Sequence, residues 1–425
     1  MTEKNFILKG NVCCSETSTA FSITENAYLV CEGGLCAGIF RELPEKYRSF
    51  PIKDCGDNLI IPGLTDLHIH APQYSYRGTG MDLELLEWLN TITFPQEAAY
   101  ANLNYAQKAY SIFTEALKKS PTARACIFGT MHVPATELLM DLLEETGLKT
   151  MVGKVNMDRN GVPNLQEKDA KTSAQDTSTW LEDTLHKYQN VRPILTPRFT
   201  PSCSDELMEM LSVIQKKHHL PMQSHLSENL GEIAWVKELC PDTDFYGEAY
   251  DKFGLFGGEC PTIMAHCVHS PDAEIHLMKE RGVYIAHCAQ SNTNLSSGIA
   301  PVRRYLNEGL HIGLGTDIAG GASLSMFRAI VDSIQVSKLR WRLVDDTQKP
   351  LTLEETFYLA TEGGGSFFGK TGNFKEGYEF DALILDDTSL PHPQELTIRD
   401  RLERMIYLGD DHIITGKYVS GKKIF

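Results

Sequence analysis

The sequence predicts an α/β fold, a (β/α)8 TIM barrel with a small β-sandwich domain that both chain ends form. Eight short apolar, β-rich runs alternate with helical stretches between about residues 64 and 320, and strands of this kind form parallel sheets that are covered on their faces. Eight such units in series are typical of a closed barrel. Further β-rich pieces with turn residues occur at both ends of the chain. We therefore expect a barrel over 63–370 and a sandwich assembled from 1–62 and 371–425.

The helical stretches that separate these runs carry their own signals. Apolar residues recur at helical spacing after Ser204, a plausible N-cap, and another helix is predicted to begin with Ser270 as its N-cap and to end before Gly282. The long connection 81–119 predicts a pair of helices over the barrel mouth. The predicted barrel strands are 64–71, 123–130, 148–157, 191–199, 220–227, 262–269, 283–290 and 310–317.

Composition excludes several classes of partner. The chain has 425 residues and a formal net charge of -16, which argues against nucleic acid or an anionic membrane because phosphates are bound mainly by cationic side chains. No signal peptide is evident, and no apolar run approaches the roughly 20 residues that span a bilayer. The cysteine count of 11 is odd and no C-x-x-C occurs, so we expect reduced thiols and a cytoplasmic location.

Polar residues stand at the ends of several predicted strands, where barrel enzymes place their catalytic groups. His68 and His70 end the first strand, and positions i and i+2 of a strand face the same side. To bury all of these groups for packing alone would be costly, so they predict a metal site. The later strands five to eight end in His225, His266, His287 and Asp317.

Imidazole with one carboxylate suits a borderline divalent cation, either zinc or iron. We assign His68, His70, His225 and Asp317 as ligands that leave one position for water. His266 is either a further ligand or a hydrogen-bond partner of that water, since the sequence cannot separate these roles. Glu228 follows a ligand closely, as expected of a proton shuttle.

Five segments together resemble the amidohydrolase superfamily over nearly the whole chain, although Ala289 replaces a proline that is usual after strand seven. Strand four ends in Arg198 without the lysine that bridges two metals in binuclear members, which implies a single metal, and Lys154 on strand three is interpreted as buried or paired. The resemblance also implies a homodimer. The segments are PGLTDLHIHAPQY, SHLSEN, MAHCVH, AHCAQSNTNLSSG and GLGTDIAGG.

Two longer segments, HIHAPQYSYRGTGMDLELLEWLNTITFPQE and TPRFTPSCS, are similar to guanine deaminases within that superfamily. The similarity implies that Gln73, Arg198 and Phe199 contact the purine, together with His225, Glu228 and Asp317 beside the metal. Arg198 offers a fixed donor fork that suits the O6/N7 edge of guanine. Gln73 both donates and accepts, and can therefore read an amide edge.

The implied reaction is attack on guanine C2 by hydroxide from a metal-activated water. Glu228 would take the water proton and deliver it to N3, with Asp317 moving protons to the departing amine and His266 stabilising the tetrahedral centre. Xanthine and ammonia are the expected products.

Two other hypotheses remain open. The chain could be another member that hydrolyses 8-oxoguanine, adenosine-type substrates, cytosine or a triazine, because such enzymes share the metal ligands and differ in the binding positions. A non-catalytic barrel scaffold is the alternative from a different class, and loss of metal ligands would be expected of it.

Overall fold

Strands and helices alternate along the middle of the chain in the computed structural model, which describes residues 5–425. The apolar runs form strands because branched and aromatic side chains fit a pleated, buried surface. The strands are β1 (Phe6–Thr17), β2 (Ala20–Glu32), β3 (Leu35–Phe40), β4 (Ile52–Pro62), β5 (Leu64–His70), β6 (Thr122–Phe128), β7 (Lys149–Gly153), β8 (Val155–Asn156), β9 (Val191–Pro193), β10 (Thr196–Pro197), β11 (Met222–Leu226), β12 (Thr262–His266), β13 (Tyr284–His287), β14 (His311–Leu314), β15 (Ala382–Leu385), β16 (Ile414–Val419) and β17 (Lys422–Lys423).

The helices lie mainly between the central strands. Within residues 5–425, no helix is both long enough and apolar enough to cross a membrane. The α-helices are α1 (Leu85–Trp88), α2 (Phe94–Ala98), α3 (Leu103–Lys119), α4 (Val133–Thr146), α5 (Ala170–Thr184), α6 (Asp205–His218), α7 (Leu230–Leu239), α8 (Glu248–Asp251), α9 (Asp272–Arg281), α10 (Ala289–Asn294), α11 (Val302–Glu308), α12 (Met326–Leu343), α13 (Leu353–Tyr358) and α14 (Ile398–Leu408).

All eight predicted runs form strands. The first four runs form a parallel sheet of order β5-β6-β7-β9 together with the short parallel pair β8-β10, and the last four form a second parallel sheet of order β11-β12-β13-β14. A parallel bridge between Leu195 and Met222 joins one pair of edges. At the other pair, the Asp317 amide donates to the His68 carbonyl at 2.8 Å. The predicted α/β class with parallel strands is thus confirmed, and the carboxyl ends of the strands meet at one face.

Both chain ends contribute to one seven-stranded sheet of order β17-β16-β15-β4-β1-β2-β3. Arg124 on β6 ties this sheet to the central strands, because its guanidinium pairs with Asp381 at 2.5 Å and with Glu379 at 2.7 Å. The assembly of the two ends beside the central strands is as predicted. Its description as a β-sandwich stays a prediction.

The two N-cap predictions have different outcomes. The Ser204 hydroxyl accepts from the Leu207 amide at 3.1 Å and caps α6, as predicted. The prediction of Ser270 as the cap of α9 is wrong, because Pro271 remains extended with ψ 167° and α9 begins one residue later than expected. The C-terminal prediction holds, since Gly282 follows α9 in the left-handed conformation.

The long connection after β5 folds as a helical pair. Its first member runs from α1 through a π-helical turn, Leu89–Thr93, into α2, and α3 forms the second. The first member packs over the carboxyl ends of the strands, where its Leu85 and Trp88 side chains line a pocket. The predicted position over the site is therefore correct.

Candidate active site

Imidazoles from β5 and β11 converge with an aspartate that follows β14. His70 Nε2 lies 3.2 Å from His68 Nε2 and 3.2 Å from His225 Nε2. Asp317 Oδ1 is 3.3 Å from His68 Nε2 and 3.5 Å from His70 Nε2. The structure therefore brings together the four side chains that the sequence predicted as metal ligands.

The ring nitrogens in this cluster fit a divalent cation better than they fit one another. His225 Nδ1 donates to the Arg198 carbonyl at 2.6 Å, so its neutral ring keeps a lone pair on Nε2. Burial lowers the pKa of His70 and of His225 well below the ordinary value, and neutral imidazole is the form that binds metals. His70 Nε2 carries at most one hydrogen and cannot donate to both of its neighbours. A cation between these nitrogens would satisfy all of their lone pairs.

His266 is oriented toward the same point from β12. Its Nδ1 donates to Asn292 Oδ1 at 2.8 Å, which turns Nε2 toward Glu228 Oε2 at 3.5 Å and Asp317 Oδ2 at 3.8 Å. Burial alone would lower the pKa of His266, but the Glu228 and Asp317 carboxylates outweigh it and raise the pKa above the ordinary value. His266 therefore stands between the two acidic groups of the site.

The two carboxylates have opposite electrostatic environments. Burial would raise the pKa of Asp317, yet the imidazoles of His68 and His266 lower it far below its ordinary value. Burial raises the pKa of Glu228 above its ordinary value, and His266 opposes that rise. The Ser297 hydroxyl donates to Glu228 Oε1 at 2.9 Å. One acid is thus held ionised while its neighbour is poised to exchange a proton.

Unusual backbone geometry places these side chains. His266 has φ 74° and Asp317 has φ 47°, both in the left-handed region that non-glycine residues adopt rarely. The strand before Asp317 also approaches β5 closely, because a Cβ on Gly315 would lie 2.9 Å from His68 Cβ. Asp66 Oδ1 accepts from the His68 amide at 3.1 Å and so fixes the backbone at the first histidine of the cluster. The sequence did not identify Asp66 as part of this support.

A pocket opens directly above the cluster. It encloses about 430 Å³ of empty space, a volume that includes space open to solvent. The apolar wall includes Leu85, Trp88 and Leu89 of the first helical member, which sequence reasoning placed over the mouth without naming them. The pocket is lined by His70, Gln73, Leu85, Trp88, Leu89, Arg198, Phe199, His225, Glu228, Glu232, His266, Leu295, Asp317 and Gly320.

All six residues predicted to contact a purine line this pocket, and Gln73, Arg198 and Phe199 form its wall away from the cluster. Arg198 donates through Nη1 to Glu97 Oε2 at 2.5 Å and through Nη2 to Glu97 Oε1 at 3.1 Å. Gln73 Nε2 donates to Glu97 Oε1 at 2.8 Å. The Phe199 ring lies edge-on to His225, with centroids 6.4 Å apart. Glu97 accepts hydrogen bonds from both Arg198 and Gln73. The sequence analysis did not identify it, because its local sequence is that of an ordinary helical glutamate.

Two other residues noted in the sequence lie outside the pocket. Lys154 is buried and forms an ion pair with Glu167, as expected of a paired lysine. His287 is buried, and among residues 5–425 neither of its ring nitrogens has a hydrogen-bond partner. Burial lowers its pKa to about 4, which favours the neutral imidazole near neutral pH.

The sequence matches the amidohydrolase family over residues 59–424, and the chain belongs to that family. It is 41% identical over 378 residues to the guanine deaminase of Mus musculus, with 86% of this chain and 82% of that protein covered. The guanine deaminase of Escherichia coli strain K12 is 34% identical, with 90% and 86% covered. A crystal structure of guanine deaminase from C. acetobutylicum, with guanine bound in the active site, is 48% identical and has a TM-score of 0.96, covering 99% of this chain and 100% of that one. The predicted family is thereby confirmed.

Proposed function

We propose that the chain is a guanine deaminase that hydrolyses guanine to xanthine and ammonia. The observation that carries this proposal is one pocket with a cluster of imidazoles and an aspartate at its base and a guanidinium–amide pair on its wall. The first arrangement suits hydrolysis and the second suits the polar edge of a purine. The curated relatives named guanine deaminase, and the related structure that holds guanine, support the same substrate. The chain is accordingly a hydrolase that acts on C–N bonds.

His68, His70, His225 and Asp317 would hold one divalent metal, zinc or alternatively iron, with His266 as a further ligand or a partner of the water. The chemistry supplied by such a metal when bound is the formation of hydroxide from water near neutral pH. Support for a single ion comes from the mutual distances, since the donor atoms of His68, His70 and Asp317 lie within 4.8 Å of one another. The pairing of Lys154 with Glu167 leaves that lysine with a structural role.

Glu228 would move the proton. Its raised pKa allows the carboxylate to take a proton from water and to deliver it to guanine N3 as the oxygen of that water bonds to C2. Asp317, ionised beside the imidazoles, would take the proton of the new C2 hydroxyl and pass it to the amine, which leaves as ammonia while C2=O forms. His266 faces both acids and would stabilise charge at the tetrahedral carbon.

Arg198, Gln73 and Phe199 would hold the base. The outer N–H groups of Arg198 would donate to O6 and N7, while Gln73 would read the N1–H and C6=O edge. Phe199 would pack on the ring, with His225, Glu228 and Asp317 contacting the reacting end. These contacts favour guanine over cytosine, adenosine-type and triazine substrates, because they match its 6-oxo edge. They favour it over 8-oxoguanine because N7 of that base carries a hydrogen and cannot accept from Arg198.

The proposal extends to the domain architecture, the oligomeric state and the cellular location of the protein. We propose that the two parallel sheets close into a (β/α)8 barrel over 63–370, which the contacts at both pairs of sheet edges support. Segments 1–62 and 371–425 would form the β-sandwich domain. We also propose a homodimer located in the cytoplasm, where the buried free thiols of Cys126 and Cys267 suit a reducing compartment.

Ammonia release from the purified protein tests the proposal. Guanine, adenine, cytosine and 8-oxoguanine would be supplied separately, and the bound metal would be measured in the same sample. We expect release from guanine at the highest kcat/KM and about one metal per chain. A preference for another base would favour one of the rival deaminases, while a metal-free protein without activity would favour the scaffold.

A further inference from the structure

The Glu97 carboxylate is buried against Arg198, a position that the local sequence around it does not predict. It lies on α2, in the helical insertion between β5 and β6, yet its side chain is only 3% exposed. Its Oε1 accepts from both Gln73 Nε2 and Arg198 Nη2, and its Oε2 accepts from Arg198 Nη1. Phe94, one helical turn earlier, places its ring 4.9 Å from the same guanidinium. Two side chains of the insertion therefore contact the Arg198 guanidinium, Glu97 through hydrogen bonds and Phe94 through its ring.

These hydrogen bonds determine which donors and acceptors remain for a ligand. Arg198 uses one hydrogen on each Nη for Glu97, which leaves Nε–H and the outer Nη hydrogens free. Gln73 Oε1 accepts from the Ala319 amide at 2.9 Å, so the side-chain amide is held at both ends and cannot flip. One N–H and one oxygen lone pair of Gln73 remain available, in a fixed orientation.

Glu97 also sets the net charge of this wall. A buried guanidinium without a counter-charge attracts anions. Paired with Glu97, Arg198 presents donors without net charge, which suits a neutral base. An anionic purine such as urate gains nothing from this paired guanidinium.

We propose that Glu97 is a specificity-determining positioning residue, which orients Arg198 and Gln73 toward the 6-oxo edge of a neutral purine and cancels the charge of Arg198. The proposal rests on the proposed function, because that function supplies the 6-oxo edge. Glu97 touches neither the metal-binding cluster nor the acids that move protons, so its effect is on recognition.

The test compares guanine with 2-aminopurine, which keeps the amine at C2 but lacks the oxygen at C6. In Glu97→Gln, we expect kcat/KM for guanine to fall about a hundredfold, because hydrogen bonds to a charged partner are lost at a buried site. Affinity for 2-aminopurine, measured as substrate or as competitive inhibitor, should change less than about threefold. Inhibition by urate should strengthen about tenfold, since the charge of Arg198 is then uncompensated.

Glu97→Asp is the conservative variant. It keeps the negative charge on a shorter side chain, so urate inhibition should stay as in the wild type while selectivity for guanine falls to an intermediate value. It also serves as the test if Glu97→Gln does not fold. Urate inhibition that strengthens in Glu97→Asp would overturn the charge assignment.

Glu167→Gln is the matched control, because it breaks another buried ion pair, that with Lys154, outside the pocket. It should leave the ratio of guanine to 2-aminopurine unchanged. An equal loss for both ligands in Glu97→Gln, with metal content retained, would overturn the proposal and make Glu97 a structural residue. Failure of the proposed function is distinct, since the wild-type protein would then release no ammonia from guanine.

Discussion

Glu228→Gln removes one proton-transfer group and its negative charge from the site. Glutamine has the same shape as glutamate, and its amide oxygen can still accept the hydrogen bond from the Ser297 hydroxyl, now at 2.9 Å. The oxygen that faces His266 at 3.5 Å can be replaced by the amide nitrogen, which cannot take a proton. General acid–base catalysis contributes about 10² to 10⁴ in rate, so we expect kcat to fall about a thousandfold with KM for guanine nearly unchanged.

The assay is the initial rate of ammonia release at saturating guanine, with the metal content of each preparation measured in parallel. Glu274→Gln is the control, because Glu274 is also buried and accepts from Ser227 Oγ and from the Gly247 amide, both at 2.7 Å, outside the pocket. That variant should keep its kcat per folded, metal-loaded molecule. Glu228→Gln with full metal and more than about a tenth of wild-type kcat would refute the proton-shuttle role.

Three further outcomes are expected. Removal of the metal with a chelator should abolish ammonia release and lower Tm, and added zinc should restore both. The change in Tm is expected because an ion that binds only the folded state stabilises it. Unchanged activity after verified metal removal would contradict the proposed role of the cluster. Arg198→Lys should raise KM for guanine about tenfold or more, because the lysine ammonium cannot reproduce the planar set of donors that the guanidinium offers. An unaltered KM would count against Arg198 as a purine contact. Lys417 donates to the Lys118 and Ser120 carbonyls, and burial lowers its pKa to about 7. Because the unfolded chain then binds more protons above that pH, the free energy of unfolding should rise with pH, by up to about 2 kcal/mol between pH 7 and pH 9, and denaturant titrations of Lys417→Met should show a smaller rise.

The convergence of the histidines and Asp317 could be predicted from sequence because these residues obey a simple geometric rule. Carboxyl ends of parallel strands meet at one face, so His68, His225 and Asp317 had to converge once their runs were recognised as successive strands. The i, i+2 spacing then placed His70 beside His68. Neither step needed the details of packing.

Glu97 and Asp66 could not be predicted, for reasons that are also physical. Glu97 lies in a helical insertion whose docking depends on tertiary packing of its apolar side chains, and a buried helical glutamate has the same local pattern as an exposed one. Asp66 lies two residues before His68 and accepts from its amide. It also accepts from the Thr316 amide at 3.0 Å and from the Thr316 hydroxyl at 2.5 Å, and these bonds depend on the approach of the segment that follows β14. The wrong cap at Ser270 has a local cause, since the backbone at Pro271 stays extended and delays the helix.

Conversion of guanine in heavy-oxygen water tests the central claim most directly, that this pocket replaces the amine at guanine C2 with an oxygen from water. The purified, metal-loaded protein would be incubated with guanine, and the product would be identified by mass spectrometry. We expect xanthine that carries one solvent-derived heavy oxygen, together with an equal amount of ammonia. Recovery of unchanged guanine, or of xanthine without the heavy oxygen, would contradict the account.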